Sequence, residues 1–383
     1  MRRIPWLLAM TGLASGVSLT CYEQGCDRGT GPRCQIVSPM PAATALSAGP
    51  HDCVVIGGAA YCWGANASGQ LGDGSTMDSK TPVPVAGGLR FLAVSTGGLG
   101  VELDHTCGAT SEGVAYCWGA NNFGQLGALT GSHSTTPVSV GGGLSFKSVS
   151  AGAGFHTCGV TTSGAAYCWG NNFFGQLGDG SGGFGNRSTA AVPVAGELSF
   201  VSVSAGGFFT CGVTTAGAAY CWGLNIDGQL GDVSKSDSKT PVLVAGGLSF
   251  VSVSAGGSRT CGLTSIGAAY CWGAGLLGDG RTEGSSQPVA VAGALKFTLV
   301  STGFDHSCGL ASEGKAYCWG SNRQGQLGDG TNHDSNTPVP VTGHLDFASL
   351  SAGLRHTCGI TVGGTAYCWG NGNRAPGQVL GPR

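Results

Sequence analysis

The sequence predicts an all-β protein, a seven-bladed β-propeller of four-stranded antiparallel blades, and three observations carry that prediction. A Tyr-Cys-Trp-Gly word recurs seven times, with Trp63, Trp118, Trp169, Trp222, Trp272, Trp319 and Trp369 separated by steps of 55, 51, 53, 50, 47 and 50 residues. Each period holds four short apolar segments punctuated by glycine, in unit five "PVLVAG" from Pro241, "FVSVSAG" from Phe250, "RTCGLTS" from Arg259 and "AAYCWG" from Ala268. That pattern is one antiparallel sheet per repeat. Finally, 73 glycines and only 10% charged residues, with tryptophan and valine recurring on schedule, describe a turn-rich folded chain.

One such sheet cannot bury both of its faces, whereas seven arranged radially pack face on face around an axis. An open solenoid would need atypical capping repeats, and here the first and last repeats resemble the middle ones. The crowded strand nearest the axis is the one reading "SVSAG", built of small residues and valine.

From the N-terminus, residues 1–20 place two arginines before a short apolar run that ends in small residues, the order of a signal peptide. Residues 21–33 form a short linker, and 34–383 the propeller. Cleavage is expected near Gly16 or Ser18. Cys21, directly after the leader, is a candidate for lipidation, although "SLTC" lacks the usual leucine three positions before the cysteine. No later segment approaches the roughly 20 apolar residues of a spanning helix. Ring closure is expected to bring Gln35–Val37 beside strands of the last repeat.

Six units carry cysteines ten positions apart, Cys107 with Cys117, Cys158 with Cys168, Cys211 with Cys221, Cys261 with Cys271, Cys308 with Cys318 and Cys358 with Cys368. The first unit has Cys53 and Cys62, one position closer. A three-residue hairpin loop such as Thr162-Ser163-Gly164 sets a ten-spaced pair face to face, and a two-residue Gly57-Gly58 turn does the same for the nine-spaced pair. Opposed residues in a non-hydrogen-bonded antiparallel pair lie within disulfide reach, so one bridge per blade is expected. Zinc is the alternative use of paired thiols, but its ligand pairs are usually C-x₂₋₄-C. Cys21, Cys26 and Cys34 remain, an odd number that leaves one thiol for another fate.

Histidine stands two before the first cysteine at His51, His105, His156, His306 and His356. Phe209 and Arg259 hold the same place in blades four and five, so a structural role is expected, with the ring bonded to loop backbone beside the hairpin. Aspartates Asp73, Asp179, Asp232, Asp279 and Asp329 follow the repeated glycines and lack the alternating ligands of a calcium loop. They read as turn formers. No metal, cofactor or catalytic residue is assigned. The repeats diverge elsewhere: blade two inserts "GLGVELD", with Glu102 and Asp104, and blade three extends "GDGSGGFGNRST". Phe173, Phe174, Phe184, Arg187 and Phe208 belong to these irregular stretches, and aromatic-plus-arginine loops have the composition of interface anchors. With Glu102 and Asp104 they are the candidate binding residues. Phe209 adds a further aromatic.

The combined pattern of His-Thr-Cys-Gly, Tyr-Cys-Trp-Gly, Asn and Gly-Gln-Leu-Gly-Asp-Gly resembles the regulator-of-chromosome-condensation repeat family over residues 34–383. The resemblance implies a seven-bladed propeller. Members include a nuclear exchange factor for a small GTPase, ubiquitin-ligase relatives and secreted bacterial propellers, and the cysteines here are closest in character to the secreted group. The net charge of −2 offers no attraction to nucleic acid. The expected protein is an exported monomer, extracellular, periplasmic or surface-attached, that binds a protein or envelope component through variable loops. A hydrolase or lyase of surface polymers is the alternative, and a nucleotide exchange factor the third reading.

Overall fold

The computed structural model describes residues 43–100 and 102–379; the expected signal segment 1–20, the expected linker 21–33, Cys21, Cys26, Cys34 and Gln35–Val37 lie outside them. Twenty-eight strands form seven four-stranded antiparallel sheets, with no helix among the described residues. In blade three the strand nearest the axis is Phe146–Ala151, followed outward by His156–Thr161, Ala166–Asn171 and Arg187–Pro193.

That order shifts the phase of the repeat. Read from sequence, unit five opens on "PVLVAG"; in the structure Ser238–Leu243 is the outer strand of blade four, paired with Ala219–Gly223. The outer strand is the nearest antiparallel partner for the strand just before it in the chain, so the long traverse falls after it. The last blade accordingly completes itself with its own C-terminal segment, Asn373–Gln378, which pairs Tyr367 with Gln378. The edge of the last blade's third strand is therefore filled by Asn373–Gln378, and each of the seven sheets is four consecutive strands.

Around the axis the small residues do specific work. Each inner-strand serine accepts a hydrogen bond from a backbone N–H of the next inner strand: Ser47 from Thr96, Ser95 from Ala151, Ser150 from Ala205, Ser204 from Ala255, Ser254 from Thr302, Ser301 from Ala352 and Ser351 from Ala48, all at 2.9–3.0 Å. The seventh bond closes the ring. A larger side chain here would hold the inner strands too far apart for these bonds.

All seven cysteine pairs are bonded, with Cα atoms 4.0–4.1 Å apart. In blade three Thr161 N–H bonds to Ala165 O around Gly164, at φ 91°. Counting back from that bonded pair puts Cys158 opposite Cys168 at a non-hydrogen-bonded position. In blade one Gly57 and Gly58, at φ 58° and 86°, make the two-residue turn, and Cys53 faces Cys62.

In blades one to six each cystine is fully buried against the following blade, and in blade seven Cys358 is buried while Cys368 is half-buried. Cys107 and Cys117 of blade two pack with Leu126 on Phe146 and Trp169 of blade three, and Cys158 and Cys168 pack likewise on Phe200 and Trp222 of blade four. Trp169 Nε1 donates to the Gln125 carbonyl of blade two at 2.9 Å, and the Thr157 hydroxyl donates to the same oxygen at 2.9 Å. The histidines join this network and not the loop backbone expected from sequence. His105 Nε2 meets the Thr157 hydroxyl at 2.9 Å, and His156 meets Thr210 at 2.9 Å. Since each threonine spends its proton on the glutamine carbonyl, the histidine Nε2 must carry the hydrogen, and burial disfavours a second proton on the ring. Burial drives His51 down to about 4, and His105, His156 and His306 down to about 3.

The seam between blades seven and one is built differently. Its cluster joins Val54, Trp63 and Ile360, with Ala43 where other inner strands begin on phenylalanine. Threonine is replaced by Asp52, whose carboxylate meets His356 Nε2 at 2.7 Å. Burial opposes a charge on His356, but Asp52's charge and hydrogen bond outweigh it and raise its pKa.

Two outcomes test this packing. Intact mass of the unreduced mature chain is expected to show seven propeller disulfides, and removing one pair, as in Cys158→Ala with Cys168→Ala, should cost about 2–4 kcal/mol in urea unfolding. The four lowered histidines protonate only on unfolding, so stability should fall as pH drops below about 6.5. His156→Phe copies Phe209 of blade four, which is fully buried at that place. It should reduce the slope of stability against pH by about 1.4 kcal/mol per unit between pH 6 and 4, read from urea midpoints; an unchanged slope would contradict the assignment.

Candidate functional site

The repeated Asn and Asp side chains are consumed within their loops. Asn172 accepts from Leu177 N–H at 3.0 Å and donates to Asp179, whose two oxygens also hold the Ser181 hydroxyl and one of which takes the Ser181 N–H. The same arrangement recurs at Asn66 with Asp73, Asn225 with Asp232 and Asn322 with Asp329. Asp52 also lies near Cys358 and Cys368, but the sulfurs are bonded to each other and the carboxylate to His356. The axial cavity, about 170 Å³, is lined mainly by serine, alanine and glycine from all seven blades.

One end of the ring is different at blades two to four. The corner between inner and second strands and the loop between third and outer strands both emerge there. In blade three the first corner carries Phe155 and the second carries Phe173, Phe174 and Phe184, while Phe123 of blade two and Phe208 of blade four flank them. Their rings interlock. Phe123 stacks on Phe155 at 5.4 Å between centroids, Phe155 meets Phe208 edge-on at 6.3 Å, Phe174 meets Phe208 at 5.5 Å, and Phe173 meets Phe174 at 4.6 Å and Phe184 at 5.7 Å. Together with Asn171, Asn186 and Arg187 they line a recess of about 430 Å³.

Local structure explains how this surface is held. Phe155 sits at φ 62°, a left-handed conformation that bulky residues rarely adopt and that clusters at functional sites. Phe184 rides on a turn closed by Asn186 N–H to Gly183 O at 3.0 Å, between Gly183 at φ 135° and Gly185 at φ 75°. Phe184 is 96% exposed, and Phe173 is 38% exposed. Arg187 is exposed and fixed by one bond, Nη1 to the Asn122 carbonyl at 3.1 Å. It is the one charged residue of the lining.

Of the seven candidates from sequence, the structure brings Phe173, Phe174, Phe184, Arg187 and Phe208 together. Glu102 and Asp104 stand apart from them. Asp104 is buried and takes the Gly100 N–H at 2.9 Å, so its carboxyl organises the blade-two insertion; burial raises its pKa to about 6, against the pull of those bonds. Glu102 sits at φ 61°, with its carbonyl taking the Ser68 hydroxyl at 2.5 Å. Phe209, one residue after Phe208, faces the opposite way into the core of blades four and five. Sequence reasoning missed Phe123 and Phe155. The signal was present, since Phe155 and Phe208 hold the same repeat position, as do Phe123 and Phe174.

Comparison with known proteins places this geometry in a family. Residues 101–347 match the RCC1-like domain, and residues 57–100 and 347–375 match the regulator of chromosome condensation (RCC1) repeat. The chain is 33% identical to the ultraviolet-B receptor UVR8 of Arabidopsis thaliana over 207 residues, 51% of this chain and 44% of that one. The matched part spans less than half the length of such curated relatives. Among solved structures, human WBSCR16 superposes with a TM-score of 0.75 at 21% identity, covering 88% of this chain and 94% of that one. Yeast RCC1, crystallised bound to Kap60, gives 0.72 at 18% identity, covering 94% and 91%. Taken with the seven four-stranded blades, the match across most of the chain shows that this protein belongs to the RCC1-like domain family.

Proposed function

We propose that the protein is an exported, non-enzymatic binding module that holds a protein or cell-envelope component in the phenylalanine recess of blades two to four. The carrying observation is where the irregularity falls. Repeated polar groups are tied up in the scaffold, whereas the phenylalanine-bearing corners of blades two to four converge on one apolar hollow with an exposed aromatic at its edge. Rigid scaffolds with divergent loops are where binding sites arise, and a buried aromatic cluster beside an arginine is the usual composition of an energetic centre. Seven cystines fit an oxidising compartment, and the charged leader at residues 1–20 supplies a route to one. No helix among the described residues is long and apolar enough to cross a membrane. The UVR8 and yeast RCC1 likenesses support a propeller used for recognition, at the level of fold.

Two measurements test this reading. N-terminal sequencing of the native protein should begin between Gly16 and Cys21, whereas a retained initiator Met1 would contradict export. Affinity capture from the source envelope should be lost at least about tenfold in the double variant Phe173→Ser with Phe184→Ser, a loss of about 1.4 kcal/mol or more. Both side chains are solvent-exposed, so the variant should keep its seven disulfides. Undiminished capture would remove the recess from the function.

A further inference from the structure

Resting on that reading, the chemistry of the recess narrows what it takes. We infer that its occupant is an amphipathic carboxylate, a hydrocarbon body lying against the phenylalanines with its carboxylate on Arg187. The volume, about 430 Å³, belongs to the range of roughly 300–1,000 Å³ typical of small-ligand sites. Six phenylalanines supply its walls, arranged edge-on or stacked so that both ring faces and ring edges are offered to an entering group.

Charge supplies the second half of the argument. A guanidinium has five N–H donors, and Arg187 uses one on the Asn122 carbonyl. Among the described residues it makes no ion pair and no other side-chain hydrogen bond. Asp179, the carboxylate of the same loop, is turned inward onto Ser181 and Asn172. Lys239 adds a second positive charge behind the loop, donating to the Gly182 carbonyl at 3.1 Å. Arg187 thus stands at the mouth of the recess with no ion-pair partner, and a planar fork anchored by one donor keeps further donors for a planar carboxylate. An apolar cation would meet repulsion, and a neutral hydrocarbon would leave the fork unused.

The test is calorimetric titration of the mature, disulfide-intact protein with 4-phenylbutyrate, 4-phenylbutanol and 4-phenylbutylammonium, alongside the tripeptide acetyl-Gly-Phe-Phe as free acid and as amide. The acids are expected to bind about tenfold or more tighter than their neutral counterparts, and the ammonium weakest. Arg187→Gln should bring acid and alcohol within about threefold of each other while leaving the alcohol's affinity unchanged; Phe173→Ser with Phe184→Ser should weaken all probes together. Whether phenylbutyrate or the peptide acid binds tighter tells a free amphiphile from a chain terminus, and either order supports the inference. Equal binding of alcohol and acid, tighter binding of the ammonium, a preference that survives Arg187→Gln, or no binding at all overturns it. If capture from the envelope still depends on Phe173 and Phe184 in those cases, the recess keeps its function and only the ligand chemistry falls.

Discussion

The structure depends on one contact repeated around a circle: the tryptophan of each blade lies on the disulfide of the blade before it. The geometry follows from strand alternation. In Tyr-Cys-Trp the cysteine faces one side of the sheet and its two aromatic neighbours the other, so a blade presents sulfur to its successor and aromatics to its predecessor. A cystine is compact and apolar, and it cannot be pulled apart by strand fraying. It gives the flat indole a fixed floor. In blades two to five the same indole donates to the glutamine carbonyl of the preceding blade, where the threonine hydroxyl also arrives. Packing and polar satisfaction are met at one place, which is why a chain with so few charged residues can bury so many polar side chains.

Departures from the repeat have local physical accounts. Blade five lacks the full Asn-x-x-Gly-Gln stretch, and Arg259 fills the space from below, donating to the Leu276 carbonyl at 3.0 Å. Trp319 of blade six and Trp369 of blade seven have no partner for Nε1. At the seam, the phenylalanine and leucine of other interfaces are missing, Trp63 is 8% exposed where the others are nearly fully buried, and a buried aspartate with a histidine replaces the threonine link. A closed ring must have one junction where consecutive numbering fails. Here that junction trades apolar area for an ion pair, so its strength alone among the blade junctions depends on a charged histidine.

The recess arises from the same substitution logic applied at the surface. Positions that hold serine, aspartate, arginine, proline or glutamine in other blades hold phenylalanine at 123, 155, 174 and 208, on corners that the ring holds in place. Neighbouring blades bring the two kinds of corner side by side, so equivalent repeat positions become adjacent surface positions. Glu102 and Asp104 illustrate the limit of reading loops by composition. They look like a free acidic pair in sequence, yet Asp104 is turned inward to hold its own insertion, near the corner that Phe155 occupies in blade three.

The sequence by itself determined the blade count, the strand set, the cystine pairing and the hairpin turns, because each is a short-range matter of period, spacing and glycine placement. Five members of the recess were legible there as irregular aromatics and an arginine. Only the tertiary structure decided the phase of the blades, the use of Asn373–Gln378 to finish the last one, and the exchange of a loop contact for an interblade threonine at four histidines and for Asp52 at His356. It alone showed that Phe123 and Phe155 join the recess while Phe209 leaves for the core. These outcomes turn on which face meets which neighbour across a blade boundary, about fifty residues away in the chain, and no local pattern carries that information.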